Sequence, residues 1–313
     1  MDSPNPGSNQ DAKALDKPQL RGLERHLLLW VAAILAAFLL ATIDGQKGYL
    51  SALGGEARAL PYASVILLAL ALICEFVDAT VGMGYGTTLT PVLILLGYPV
   101  RAIVPCAVLS QLAGNVSAVF FHHHMGNVDF LRDRKARNTA LLMGGVGLAV
   151  AVGTVLLAVR IRAEFLAPLV TIMILALGVF LLAGSRLTFS FRWRNIVLLA
   201  LVAAFNKSFT GGGYGPLVAG GQVLAGLAPR SAVATTALAE AVVCLATAGT
   251  YLVVGASIPV EVLLPLLAGA VLSTPASALA LSHLPQGLVR KFMGLAVLLL
   301  GVLALARVVV QGL

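Results

Sequence analysis

What most constrains this chain is a duplication that falls on its own breaks in apolar sequence. The segment Phe76-Val77-Asp78-Ala79-Thr80-Val81-Gly82-Met83-Gly84-Tyr85-Gly86 returns as Phe205-Asn206-Lys207-Ser208-Phe209-Thr210-Gly211-Gly212-Gly213-Tyr214-Gly215. Without a gap, the register continues through Leu95/Leu224, Gly97/Gly226, Arg101/Arg230, Val104/Val233 and Gln111/Glu240. Two halves built alike, each with a glycine-interrupted apolar segment at the same place, form the pattern of a secondary transporter and point to its binding site.

Hydrophobic residues make up 59% of the 313 residues and charged ones 11%. That leaves too little polar surface for a water-soluble domain of this length. Several runs exceed about 18 apolar residues, enough to cross a hydrocarbon core of about 30 Å. The expected fold is all-α and polytopic. The formal charge of +8 sits in short loops between apolar spans, where it orients membrane helices, so no nucleic-acid partner is expected. Cys74, Cys106 and Cys244 lie inside apolar spans without motif spacing and read as buried small hydrophobes.

The expected organisation is a disordered cytoplasmic tail over 1–26, an extra transmembrane helix over 27–43, repeat one over 62–184 and repeat two over 195–313. Expected spans are 64–81 and 87–97 around the first glycine cluster, then 101–121, 139–159 and 165–184. In repeat two they are 195–210 and 216–225, then 231–254, 259–282 and 288–310. If each glycine segment folds back as a re-entrant hairpin, each repeat crosses three further times and the halves are inverted. That arrangement places 14 Lys and Arg residues, including Arg132, Arg134, Lys135 and Arg137, on one side. Six, namely Lys47, Arg58, Arg101, Arg160, Arg162 and Arg307, fall on the other. The bias puts the N-terminus in the cytoplasm and the C-terminus outside, in the cell (inner) membrane.

Four charges fall within apolar spans: Glu75, Asp78, Lys207 and Glu240. Each costs at least about 2.5–3.5 kcal/mol at the bilayer centre and so needs a reason. Asp78 and Lys207 are repeat equivalents and are expected to pair, as a structural lock between the halves, as part of a substrate or proton site, or as both. Glu75 lies one turn from Asp78 on the same face. It is the better candidate for carrying a proton, the alternative being a hydrogen bond to loop backbone. Glu240 and its equivalent Gln111 lie at similar depth and suggest a shared cavity wall. Ser110, Asn115, Thr235 and Thr236 could extend it, or merely bond their own helices.

Glycine permits a tight turn and leaves N–H groups unobstructed. Thr87, Thr88 and Thr90 are expected to open the half-helix after the first cluster, and Gly215 and Pro216 the one after the second. Two helix N-termini near mid-membrane would present N–H groups and positive dipole ends to a small anion. The expected substrate-binding residues are Gly82, Gly84, Tyr85, Gly86, Thr87, Thr88, Lys207, Gly211, Gly212, Gly213, Tyr214, Gly215, Gln111 and Glu240. The alternative is that the glycines serve only close helix packing. His122, His123 and His124 read as a polar helix end, since consecutive histidines share no face for a metal. No metal site, cofactor motif or ATP-binding motif is expected.

The run Phe76 to Pro91, with Gly211-Gly212-Gly213-Tyr214-Gly215-Pro216 downstream, resembles the sulfite exporter TauE/SafE family, also called the toluene sulfonate uptake permease family, of bacterial membrane transporters. The likeness extends from about residue 62 to the end. It implies transport of a sulfur oxyanion or organosulfonate. It carries the family's glycine turns onto Gly82, Gly84, Gly86, Gly211, Gly212, Gly213 and Gly215, and its proline onto Pro91. The chain departs from the family pattern at Tyr85 and at Gly220, which stands where the first repeat has Pro91. The resulting expectation is a secondary transporter of a small anion, possibly coupled to protons, and not an enzyme. An anion channel and an intramembrane hydrolase are the alternatives. No paired serine and histidine and no His-Glu-x-x-His motif lies in the spans to support the last.

Overall fold

The computed structural model describes residues 61–183, 193–224, 227, 229–281, 298 and 302. The expected tail over 1–26, the helix over 27–43 and the span over 288–310, apart from 298 and 302, lie outside the described residues. Among those described, nine α-helices follow one another: α1 Pro61–Val81, α2 Tyr85–Leu95, α3 Val100–His124, α4 Arg134–Ala158, α5 Ala163–Ala183, α6 Trp193–Thr210, α7 Tyr214–Leu224, α8 Pro229–Val253 and α9 Val260–Ala280. Five of these, α1, α3, α4, α8 and α9, are long and apolar enough to cross a membrane.

The helix boundaries repeat with the sequence. Val81 and Thr210, Tyr85 and Tyr214, Leu95 and Leu224, Val100 and Pro229, and His124 and Val253 each lie 129 residues apart. Identical breaks arise because the same glycines cause them. Gly82 and Gly211 end α1 and α6 with φ of 77° and 79°, a left-handed conformation in which a side chain would be strained.

Most boundaries differ from expectation by one to five residues. The short helices start at Tyr85 and Tyr214, so Thr87, Thr88 and Pro216 lie inside the first turn or just beyond it rather than opening the helix. At 21 residues α1 is long enough to span alone, at about 31 Å, whereas the 11-residue α2 reaches about half-way. The Arg134–Arg137 cluster begins α4, because the Asp133 side chain caps it by accepting the Ala136 N–H at 2.9 Å.

The halves interlock rather than sit apart. The helix α1 packs on α9 and its equivalent α6 on α4, while α3 packs on α9 and α8 on α4. The equivalents α3 and α8 pack on each other. They run antiparallel. The first turn of α3 (Val100, Arg101) shares a cavity with the end of α8 (Tyr251, Val254). At the opposite end, Val128 just past α3 packs with Ala234 near the start of α8.

Candidate functional site: the crossing of the two helix breaks

The two breaks touch each other backbone to backbone. A Cβ on Gly86 would collide with the Gly211 carbonyl and the Gly212 Cα, and a Cβ on Gly215 with the Gly82 carbonyl and Met83. A Cβ on Gly82 would come within 2.7 Å of the Ala219 Cβ, and one on Gly211 within 3.2 Å of the Thr90 Oγ1. Every contact from one half has its counterpart from the other. That reciprocity is what a two-fold relation between two equivalent surfaces produces. Glycine is required here by proximity, since any side chain would hold the two backbones apart.

Each break leaves unpaired carbonyls at the end of one helix and unpaired N–H groups at the start of the next. The equivalent residues Asp78 and Lys207 answer opposite halves of that problem. The Asp78 Oδ1 accepts the Tyr85 N–H at 3.3 Å, capping the incoming helix α2. The Lys207 Nζ donates to the Gly211 carbonyl at 3.1 Å, closing the outgoing end of α6. Opposite charges thus fit the opposite ends of the helix dipole.

Asp78 and Lys207 do not pair directly, contrary to expectation. Gln111 stands between them. Its Nε2 donates to the Asp78 Oδ2 at 3.0 Å and to the Glu240 Oε1 at 3.1 Å, and its Oε1 accepts from the Lys207 Nζ. The ion-pair partner of Lys207 is Glu240, at 3.2 Å. Gln111 is long enough to reach both acids because it shares the crossing of α3 and α8 with its own equivalent. The network therefore takes one residue from each of α1, α3, α6 and α8. With Gln111, Gly211 and Glu240 as acceptors, all three ammonium hydrogens of Lys207 are used.

Glu75 stands apart from that network. It is 0% exposed, and neither carboxyl oxygen has a hydrogen-bond partner among the described residues. The expected alternative of a bond to loop backbone is not formed. The carboxyl group packs against Gly114 of α3, where a Cβ would meet it at 2.7 Å. The equivalent position in the second half is Ala204, so the site's extra acid belongs to one half alone.

The remaining expected residues line the same crossing. Gly84 and Gly213 carry φ of 146° and 82° within the breaks. Tyr85 and Tyr214 are both fully buried, but only Tyr85 has a partner, the Ser110 Oγ at 2.6 Å. The second half has Ala239 at the position of Ser110, and the Tyr214 hydroxyl has no hydrogen-bond partner among the described residues. The hydroxyls of Thr87, Thr88 and Thr90 are also buried without partners among the described residues, as are the Asn115 Nδ2 and the Thr235 Oγ1. Thr236 bonds its own helix at Ala232 and accepts from Gln222.

The family model described as Sulfite exporter TauE/SafE matches residues 67–304. The chain belongs to that family. A Bacillus subtilis relative described as a probable membrane transporter protein, YtnM, is 24% identical over 206 residues. The match covers 61% of this chain and 65% of the relative, just under two thirds of its length. No solved structure matched. As a TauE/SafE protein, the chain carries five described helices long and apolar enough to cross a membrane.

Two site features of this TauE/SafE chain escaped sequence reasoning. Asn206 donates to the Gly212 carbonyl at 2.9 Å, and the Thr210 Oγ1 accepts the Gly212 N–H at 3.1 Å, pinning the second break. Both residues stand where the first half has Val77 and Val81, so a polar-for-apolar difference between the repeats was the available signal. His122, His123 and His124 form the last turn of α3 as expected, but His122 is fully buried and hydrogen-bonded to Asn127 at 3.1 Å, while His123 and His124 are exposed.

Proposed function

We propose that the protein is a secondary transporter of a small anion, a sulfur oxyanion or organosulfonate, built as two inverted repeats and coupled to protons. The reciprocal contacts of the breaks and the antiparallel course of α3 and α8 favour inversion. Equivalent helices that run antiparallel about a two-fold axis require that axis to lie across them, in the membrane plane. The anion sits beside the contact between the breaks, at the starts of α2 and α7.

The observation that carries this reading is the set of buried hydroxyls without protein partners at those two helix starts: Thr87 and Thr88 on α2 and Tyr214 on α7. Buried donors left unmet are costly, and an oxyanion would meet them. Lys207 supplies the positive charge. Its donors are all engaged, so the anion takes Lys207 by displacing Glu240.

Charge balance argues for the protons. With Glu75, Asp78 and Glu240 ionised beside one lysine, the crossing carries two net negative charges and repels an anion. Anion and protons therefore bind together. Glu75, buried with no partner, carries the coupled proton.

Uptake into proteoliposomes, with sulfite, benzenesulfonate and chloride in competition, tests the reading. Uptake is expected to be driven by an inward proton gradient and competed by one of the sulfur anions but not by chloride. Glu75→Gln, which keeps the shape and removes the titrating group, is expected to abolish the response to the gradient. Transport whose pH dependence is unchanged in Glu75→Gln would remove Glu75 from coupling.

A further inference from the structure

A cavity of about 300 Å³ opens at the end of the molecule where α3 begins and α8 ends. Its apolar wall is made by Val104, Leu166, Phe209 and Tyr251. Arg101, exposed at the rim, is the only charged residue among the described residues that line it. The floor touches the second helix break. Phe209 lies two residues before Gly211, the Val104 Cα would be 3.6 Å from a Cβ on Gly211, and the Tyr251 hydroxyl donates to the Ser208 carbonyl at 3.3 Å. The cavity therefore opens at one end of the molecule and is floored by residues that adjoin the second break.

The charge around the rim is basic. The Arg101 Nη2 donates to the Ile161 carbonyl at 2.7 Å, which sets Arg101 beside the turn bearing Arg160 and Arg162. Glu164 is paired with Arg162 at 3.0 Å. The other acid at this end among the described residues is Glu261, which opens α9 and does not line the cavity. Among the described residues one hydrogen bond holds Arg101 in place, and a guanidinium has five N–H donors, so the others can meet a ligand.

We propose that this cavity is an outer recognition subsite for an organic anion. Its acidic head sits on Arg101 and its apolar body, of about one aromatic ring, lies against Phe209, Tyr251, Leu166 and Val104 before the head passes to the breaks. The proposal rests on the anion-transport reading and deepens it. Apolar walls with one charged group at the rim bind by burying hydrocarbon and orienting one head group. A small, fully hydrated inorganic oxyanion would leave those walls unused, so the subsite selects for a carbon body.

The test uses the full-length protein in liposomes with Ser257→Cys at the cavity rim. Labelling is compared for an anionic, a cationic and a neutral methanethiosulfonate, each relative to its rate with a free thiol. The anionic reagent is expected to be favoured about fivefold, the effect of one nearby positive charge in a wet site. Arg101→Gln should erase that preference and leave the neutral rate unchanged, which also shows that the variant is folded. Arg230→Gln, the repeat equivalent at the opposite end of the crossing, should keep it. Benzenesulfonate should slow labelling, and sodium sulfate at equal concentration should not. A preference that survives Arg101→Gln, or labelling indifferent to benzenesulfonate, overturns the subsite. Protection without transport of benzenesulfonate upholds the subsite while the transport reading fails. Transport without protection does the reverse.

Discussion

Lys207 is the residue on which most of the buried polar chemistry converges. It is 0% exposed and gives its three hydrogens to Gln111, Gly211 and Glu240. Lys207→Ala leaves the Glu240 carboxylate buried without its cation, a loss of about 3–5 kcal/mol. The expected result is a markedly lower melting midpoint in detergent and no transport. Lys207→Met combined with Glu240→Met removes both charges and should recover much of the midpoint but none of the transport. A double variant as unstable as Lys207→Ala alone would show that the lysine acts through Gly211 rather than through the ion pair. Gln111→Leu should lower the midpoint too, since it strips the bridging partner from Asp78, Glu240 and Lys207 together, at about 1–3 kcal/mol for each buried group left unmet.

At the level of elements, the broken helices depend on contact more than on flexibility. Gly86 and Gly212 have no positive φ, yet a Cβ on either would strike backbone of the other half. Backbone cannot move aside as a side-chain tip can. Gly86→Ala and Gly212→Ala are each expected to abolish transport and sharply reduce the yield of folded protein. Gly145 and Gly153 of α4 are the internal controls, since nothing lies within 4 Å of a Cβ there. Gly145→Ala and Gly153→Ala should leave both the midpoint and uptake at wild-type values. Size-exclusion profiles and proteoliposome uptake of the four variants decide the point. Equal tolerance of all four would mean that the breaks do not need their close contact.

For the whole molecule, the interlocking of α1 with α9 and of α6 with α4 means that neither half buries its own apolar faces alone. The antiparallel course of α3 and α8 sends the equivalent arginines, Arg101 and Arg230, to opposite ends of the crossing. Arg101→Cys and Arg230→Cys, each made singly, are expected to react with a membrane-impermeant thiol reagent from opposite sides. One should label in intact cells and the other only after permeabilisation. Labelling of both from the same side would rule out inverted repeats.

Sequence alone determined the class, the duplication and the breaks. Composition excluded a soluble fold, and the glycines recurred in a register that the helix ends follow at 129 residues. It also found the buried charges, because a charge in an apolar run stands out wherever it is. What it could not determine was partnership. Asp78 and Lys207, equivalent and opposite in sign, suggest a pair. The tertiary structure instead places Gln111 between them, gives Lys207 to Glu240 and leaves Glu75 with no hydrogen bond among the described residues. The reason is geometric. Periodicity places a residue on a helix face and at a depth, but which side chains meet depends on how α1, α3, α6 and α8 cross, and that is decided by glycine contacts between segments far apart in the chain. The Arg101 cavity belongs to the same class of fact, since its walls come from helices of both halves that share no motif or periodicity pointing to one another.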